Sequence, residues 1–184
     1  MADNAHSEVA SEIARHAPLL PVGRLDELLR VVTSADRVFV CAVGRCGLVL
    51  KMFATRLAQL GIRCYVVGDL TTPSIGGGDA LIAASGSGVT PTVVLLASRA
   101  RRFGAKVIGL SAHEDAEFAR NVDSVITLPV PAKTDPIDRK QSVQPPGSLF
   151  EQLLLCFLEE AILRLARQQD EGFQTIRSRH ANLE

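Results

Sequence analysis

Residues 80–91 read Ala80-Leu81-Ile82-Ala83-Ala84-Ser85-Gly86-Ser87-Gly88-Val89-Thr90-Pro91. A short apolar run typical of a buried strand leads into a loop of serine and glycine, and a helix-like pattern opens at Pro91. Glycine lets the backbone approach an anion closely, hydroxyls add donors, and a helix N-terminus presents unpaired N–H groups. Two interpretations fit this layout: a phosphate-binding loop between strand and helix, or a connection that uses serine and glycine only to turn the chain.

A second loop of the same kind favours phosphate binding. Gly44-Arg45-Cys46-Gly47 follows the apolar run 38–43 and leads into another amphipathic segment. In an open parallel sheet, ligands bind beyond the carboxyl ends of the strands. We therefore expect both loops to contact one ligand, with a phosphate group in one loop and the rest of the ligand at the other.

Length and composition fit one globular domain that binds a small molecule. At 184 residues and 47% hydrophobic content, the chain is long enough to bury a substantial core. Twenty basic residues balance twenty acidic ones, and no basic run is interleaved with aromatic residues, so nucleic acid is not an expected partner. The first residues show no basic stretch followed by an apolar core, so a secretion signal is not expected, and no apolar run reaches membrane-spanning length. We expect a cytoplasmic protein with no membrane partner.

The four cysteines do not suggest a metal site. They are far apart, without a Cys-x-x-Cys pair or a neighbouring histidine of the kind that binds zinc. Cys41, Cys64 and Cys156 lie in apolar runs and are predicted to be core thiols. Cys46 alone lies in a candidate binding loop.

From residue 37 onward, strand-like and helix-like runs alternate. The predicted strands lie near 37–43, 62–67, 79–84, 106–110 and 123–128, and the predicted helices near 47–60, 91–103 and 114–120. Short connections favour parallel strands with right-handed crossovers and helices on both faces. The prediction is an α/β fold: a doubly wound, flavodoxin-like, five-stranded parallel sheet flanked by helices.

The segments before and after this βαβ core (37–128) complete a single predicted domain over 1–184. Residues 1–36 are predicted to form an N-terminal helical arm, interrupted near Pro18 and Pro21. Residues 129–146 are polar and rich in proline, which predicts a loop that crosses or borders the site. Residues 147–184 are predicted to form a long C-terminal helix to about Arg167 and a tail. The apolar stripe on that helix is wide, which favours contact with another subunit.

Four stretches together resemble one known family. They are Gly44-Arg45-Cys46-Gly47, Ser85-Gly86-Ser87-Gly88-Val89-Thr90, Gly147-Ser148-Leu149-Phe150-Glu151-Gln152 and Arg179-His180-Ala181-Asn182-Leu183-Glu184. In this combination the chain resembles the 6-phospho-3-hexuloisomerases of the sugar isomerase (SIS) domain group, from about residue 37 to the C-terminus. The Ser-Gly-Ser-Gly motif alone identifies only the wider group, which includes sugar-phosphate sensors, whereas the ending is the most specific part.

The resemblance implies a reaction and its partners. It implies conversion of D-arabino-hex-3-ulose 6-phosphate to D-fructose 6-phosphate in the ribulose monophosphate pathway of formaldehyde assimilation or detoxification. It also implies functional coupling to a hexulose-6-phosphate synthase and a homo-oligomer, a tetramer being favoured. Transfer of the carbonyl from C3 to C2 proceeds through a cis-enediol(ate). It needs a base, groups that stabilise the oxyanion and groups that bind the phosphate. This chemistry requires no metal or redox cofactor.

The resemblance assigns the catalytic base to Glu151. Its place in a first helical turn beside apolar residues sets desolvation, which raises a carboxyl pKa, against the helix dipole, which lowers it. On local sequence alone, a glutamate there fits the role of satisfying the helix end better than that of a base, and the resemblance reverses this preference. His180 is the second catalytic candidate, as a proton carrier supplied by a neighbouring subunit in our interpretation. His113, which follows a predicted strand, is either a reserve proton carrier or an ordinary surface histidine.

The predicted substrate-binding residues come from the two glycine loops. They are Gly44, Arg45, Cys46, Ser85, Gly86, Ser87 and Thr90. The Ser85, Ser87 and Thr90 hydroxyls are assigned to the phosphate. Arg45 is open to two interpretations: contact with the phosphate or sugar hydroxyls, or simple solvation.

Two positions depart from the family pattern. Cys46 stands where a serine is common, which exchanges a hydroxyl for a weaker and oxidisable thiol. Val89 stands where a glutamate is common. Alternative functions are therefore an SIS isomerase of a pentose or heptose phosphate and a non-catalytic sugar-phosphate sensor. Sensors of this group usually carry a DNA-binding domain ahead of the sugar domain, and residues 1–36 are short and not basic enough for one.

Overall fold

The computed structural model describes residues 5–138, 140–169 and 172–183. Its centre is a five-stranded parallel sheet in the order β2-β1-β3-β4-β5. The strands are β1 (Val38–Cys41), β2 (Cys64–Val66), β3 (Ala80–Ala84), β4 (Lys106–Ser111) and β5 (Ser124–Thr127). The strand order reverses between β1 and β3, which creates a crevice beyond their carboxyl ends. The predicted α/β, doubly wound fold is confirmed.

Helices cover both faces of the sheet. They are α1 (Ala5–His16), α2 (Leu25–Ser34), α3 (Gly44–Gln59), α4 (Pro91–Arg102), α5 (Ser148–Gln168) and α6 (Gly172–Ser178). Short 3-10 segments span Ala17–Leu19, Val22–Arg24 and Glu117–Asn121. Helices α2, α3 and α5 form one core layer, and α4 with the Glu117–Asn121 segment forms the other. Because both faces are covered, β1 and β3 are fully buried, which explains their uninterrupted apolar sequences.

Three local predictions need correction. The prediction of a helix over 114–120 is wrong, because the chain forms only the 3-10 segment Glu117–Asn121 there. Its geometry is set by a tertiary contact: the N–H of buried Phe118 donates to the Gly88 carbonyl at 2.9 Å. Helix α3 begins three residues before the predicted 47, where Gly44 adopts a φ of +60°. The tail contains the short helix α6, which the sequence analysis did not predict.

The N-terminal arm packs against the same domain. Helix α1 contacts α5, and residue Glu12 is buried, with 1% of its surface exposed. It accepts hydrogen bonds from the Val143 N–H at 3.1 Å and from Gln144 Nε2 at 2.8 Å. The predicted arm begins at residue 1, and its positions 1–4 lie outside the described residues. Residue 139 of the predicted loop and residues 170, 171 and 184 of the predicted tail also lie outside them.

The wide apolar stripe of α5 has an explanation within one chain. Its buried side chains pack in the core that includes residues of α2 and α3, and α1 also contacts this helix. The stripe therefore does not itself require a second subunit, and the predicted contact with another subunit stays a prediction. Among the helices that the structure describes, none has the length and apolar character needed to cross a membrane.

Candidate active site

A cavity of about 360 Å³ lies at the carboxyl ends of β1 and β3, at the point where the strand order reverses. Its lining consists of Val43, Gly44, Arg45, Cys46, Ala84, Ser85, Gly86, Ser87, Thr90, Ala132, Lys133, Pro146, Gly147, Phe150 and Glu151. All seven residues predicted to bind substrate line this cavity, together with Glu151. The two glycine loops therefore meet at one site with the beginning of α5.

Three helix N-termini face the cavity. Helix α3 begins at Gly44, α4 follows Thr90 and α5 follows Gly147, and all three residues line it. Each N-terminus carries unpaired N–H groups and a partial positive charge. Their convergence suits the site to an anionic ligand.

The loop Ser85–Thr90 is held close to its neighbours. The Ser85 and Ser87 side chains belong to buried residues, and the Ser85 hydroxyl lies 2.8 Å from that of Thr90. Gly88 adopts a φ of +65°, and a Cβ added there would lie 2.3 Å from the Ala116 Cβ. Only glycine fits this position without a shift of the surrounding chain. The loop thus presents hydroxyls and backbone N–H groups from a fixed backbone.

Glu151 and Arg45 form an ion pair within the site. Arg45 Nε donates a hydrogen bond to Glu151 Oε2. The carboxylate side chain is 16% exposed, whereas that of Arg45 is 67% exposed. This partner raises the pKa of Arg45. The pair places one carboxylate and one guanidinium at the same wall of the cavity.

Cys46 is a protonated thiol at neutral pH. Burial raises its pKa to about 11, and the negative charge of Glu151 adds to the effect, although the backbone of Gly86 opposes it. Since the thiolate is the reactive form, this position is poorly suited to easy oxidation. The three thiols predicted to lie in the core differ in burial: Cys41 is buried, whereas Cys64 and Cys156 are only half-buried.

The two candidate histidines lie outside the cavity lining. His180 is exposed and follows α6, and its neighbour Arg179 donates to the Gln59 carbonyl at 3.4 Å. Gln59 ends α3, whereas Gly44 at the cavity begins it. A helix of 16 residues spans about 24 Å. His180 therefore lies near the opposite end of α3 from the site of its own chain. His113 Nε2 lies 2.9 Å from Asp135 Oδ1.

Several residues that line the cavity were not predicted from the sequence. Among these residues Lys133 is charged. The segment that contains it was predicted to cross or border the site, but no residue in it was given a role. The presence of a lysine in this polar segment was the feature of the sequence that could have indicated a binding residue. Phe150 lies against Gly86, where an added Cβ would be 3.1 Å from the ring. Within the described ranges, no group of three or more histidine, cysteine, aspartate or glutamate side chains is arranged to hold a metal ion.

The fold and the site together define an α/β protein whose crevice at the topological switch point is suited to an anion. The model of the SIS domain matches residues 32–156, and the chain belongs to this family.

Two curated relatives and one crystal structure are similar to this chain over nearly its whole length. The chain is 39% identical to the 3-hexulose-6-phosphate isomerase of Mycobacterium gastri over 98% of its own length and 90% of the relative's. It is 32% identical to the 3-hexulose-6-phosphate isomerase of Bacillus subtilis, with 97% and 96% coverage. A crystal structure of a Methanococcus jannaschii protein, whose inferred molecular function is that of a 3-hexulose-6-phosphate isomerase, superposes with a TM-score of 0.85 at 29% identity. That superposition covers 96% of this chain and 99% of the other.

Proposed function

We propose that this protein isomerises D-arabino-hex-3-ulose 6-phosphate to D-fructose 6-phosphate. The observation that carries the proposal is Glu151 beside Arg45 in a cavity formed with the Ser85–Thr90 loop. The names of the two similar curated isomerases support the same reaction. The proposed unit is the whole chain acting as one SIS domain, in the cytoplasm.

The phosphate group binds at the Ser85–Thr90 loop in this proposal. The Ser85, Ser87 and Thr90 hydroxyls and the first N–H groups of α4 supply donors at one place. Phosphate oxygens accept several hydrogen bonds at once, and the helix N-terminus favours their negative charge. The mutual bond between Ser85 and Thr90 is exchanged for bonds to the phosphate.

Glu151 moves the proton between carbon atoms. Its carboxylate removes the proton from C2, and the electron pair forms the C2=C3 bond while the C3 carbonyl oxygen becomes an oxyanion. Transfer of the O2 proton to O3 then allows C2 to become the carbonyl, and the glutamic acid returns its proton to C3. The proton balance closes within one turnover, so no external oxidant or reductant is required.

Arg45 has two roles in this scheme. Its guanidinium holds the Glu151 carboxylate at the cavity wall, and its charge stabilises the oxyanion that develops on the substrate. Most of its side chain is exposed, so it is able to turn from Glu151 towards the substrate. The arrangement thus couples substrate binding to release of the base.

His180 carries the proton between O2 and O3 from a neighbouring copy of the chain in our proposal. The position of His180 near the far end of α3 in its own chain supports a contribution from another subunit. This requires a homo-oligomer, and a tetramer is the form that we propose. The protein then acts after a hexulose-6-phosphate synthase in the ribulose monophosphate pathway, which assimilates or detoxifies formaldehyde.

A substrate panel tests the reaction. Formaldehyde and ribulose 5-phosphate are supplied with a purified hexulose-phosphate synthase, and fructose 6-phosphate is detected through glucose-phosphate isomerase and glucose 6-phosphate dehydrogenase. We expect NADPH formation that requires both the synthase and this protein. Ribulose 5-phosphate without the synthase, and sedoheptulose 7-phosphate, are tested separately by following loss of the ketose. Turnover of either one, with silence in the coupled assay, would contradict the proposed substrate.

A further inference from the structure

Lys133 is an exposed lysine that lines the cavity and that the mechanism above does not use. An added Cβ on Gly147 would lie 3.3 Å from the Lys133 Cβ, so the lysine turn lies against the start of α5. The lysine charge also acts on Cys46, whose pKa it lowers against the effect of burial. No carboxylate among the described residues forms an ion pair with Lys133, whereas Arg45 is paired with Glu151.

The turn that carries Lys133 is closed by Asp135. Asp135 Oδ2 accepts a hydrogen bond from the Ala132 N–H at 2.8 Å, and the Asp135 N–H donates to the Ala132 carbonyl at 3.1 Å. These two bonds leave Lys133 and Thr134 at the tip of the turn. The position of Lys133 in the cavity therefore depends on Asp135.

His113 attaches this turn to the end of β4. Its Nε2 lies 2.9 Å from Asp135 Oδ1, and its backbone N–H donates to Ser111 Oγ at 3.1 Å. The preceding Ala112 N–H donates to the Gly86 carbonyl at 3.0 Å. A continuous set of hydrogen bonds thus links the lysine turn to the loop assigned to phosphate.

We propose that Lys133 binds the phosphate of the substrate and that the His113–Asp135 pair holds it in place. This inference rests on the proposed function. A phosphate carries nearly two negative charges at neutral pH, and the Ser85–Thr90 loop offers only neutral donors. Since Arg45 is assigned to Glu151 and to the developing oxyanion, Lys133 supplies the missing charge at the phosphate, and an ammonium group suits a phosphate as a point charge. His113 is accordingly a positioning residue.

Binding and kinetics of Lys133→Gln test the ligand role. Inorganic phosphate and fructose 6-phosphate are titrated calorimetrically, and phosphate is also measured as a competitive inhibitor. We expect the Kd of both ligands and the KM to rise about tenfold, with kcat within about twofold, because the charge acts in the ground state and the transition state alike. Lys133→Arg should recover most of the affinity. The matched control is Lys140→Gln, in the same segment but outside the cavity lining. Unchanged phosphate affinity in Lys133→Gln would overturn the inference.

A double-mutant cycle tests the positioning role. His113→Phe removes the bond to Asp135, whereas His113→Gln retains an amide donor near the position of Nε2. We expect phosphate affinity to fall severalfold in His113→Phe and to stay near wild type in His113→Gln. In Lys133→Gln the further change His113→Phe should have little added effect, because both substitutions remove one interaction. Additive losses would assign His113 a purely structural role and overturn this part. Thermal melting checks that each variant is folded.

The outcomes separate this inference from the proposed reaction. If the wild type converts the substrate and Lys133→Gln binds phosphate as tightly as the wild type, the proposed reaction stands and the role of Lys133 is wrong. If the wild type shows no turnover but its phosphate binding depends on Lys133, the role of Lys133 stands and the proposed reaction is wrong. A wild-type protein that binds neither phosphate nor fructose 6-phosphate would overturn both.

Discussion

Arg45 and Glu151 are 106 residues apart in the sequence, and Arg45 Nε donates a hydrogen bond to Glu151 Oε2 at the wall of the cavity. The arginine comes from the first turn of α3 and the glutamate from the first turn of α5. The pair therefore links the part of the chain that follows β1 to the beginning of α5. It places a cation against the carboxylate to which we assign proton transfer.

Substitution of Arg45 tests this pairing. We expect Arg45→Gln to lower kcat by about tenfold to a hundredfold, because the developing oxyanion loses its charged partner. Arg45→Lys should retain part of the rate, since the charge remains but the guanidinium geometry is lost. Steady-state kinetics measure both, with exposed Arg63→Gln as the control. A kcat of Arg45→Gln equal to that of the control would remove Arg45 from the mechanism.

Gly88 should be hard to replace. Its φ of +65° and the 2.3 Å approach of an added Cβ to Ala116 predict that Gly88→Ala destabilises the fold by at least about 2 kcal/mol. The melting temperature should fall by about 4 to 8 °C. Gly77→Ala is the matched control, because nothing lies within 4 Å of the added atom. Equal melting temperatures for the two variants would show that the loop is not rigid.

The raised pKa of Cys46 predicts slow alkylation at neutral pH. With a pKa of about 11, the thiolate fraction rises tenfold with each pH unit up to that value. Labelling by iodoacetamide, followed for the Cys46 peptide by mass spectrometry, should accelerate accordingly between pH 7 and 9. A rate that begins to level off at about pH 8.5 to 9, near the ordinary pKa of a cysteine thiol, would indicate an ordinary, accessible thiol. Bound fructose 6-phosphate should slow the reaction further, because Cys46 lines the cavity.

Subunit complementation tests the role of His180. We expect His180→Ala and Glu151→Gln each to lose most of the turnover when expressed alone. When the two are co-expressed, mixed oligomers should regain a measurable fraction, since some sites combine an intact Glu151 with an intact His180 from another chain. Full activity of His180→Ala, or no recovery in verified mixed oligomers, would contradict the proposed contribution from a neighbour.

Contiguous motifs allowed much of the site to be predicted. Both glycine loops carry their ligand groups within a few residues, so a strand followed by a helix was enough to place Ser85 and Gly44 at one edge of the sheet. The family assignment from these motifs is confirmed by the SIS domain match. The reversal of strand order between β1 and β3 then brings the two loops together.

Contacts across long separations could not be predicted in this way. The approach of Lys133 to the cavity depends on the path of an irregular segment that Asp135 and His113 fix through tertiary hydrogen bonds. The segment 114–120 has helix-forming residues, yet the Phe118 bond to Gly88 imposes a 3-10 geometry. In both cases interactions with distant parts of the chain override local preference.

The role of Glu151 as the base is tested by comparing kcat for Glu151→Gln and Glu159→Gln in the coupled fructose 6-phosphate assay. Glu159 lies on the same helix but is exposed and outside the cavity lining, so the two variants differ in access to the substrate. We expect Glu151→Gln to lose about a thousandfold in kcat with little change in fructose 6-phosphate affinity, while Glu159→Gln matches the wild type. A kcat of Glu151→Gln within tenfold of the wild type would contradict the assignment of Glu151 as the base.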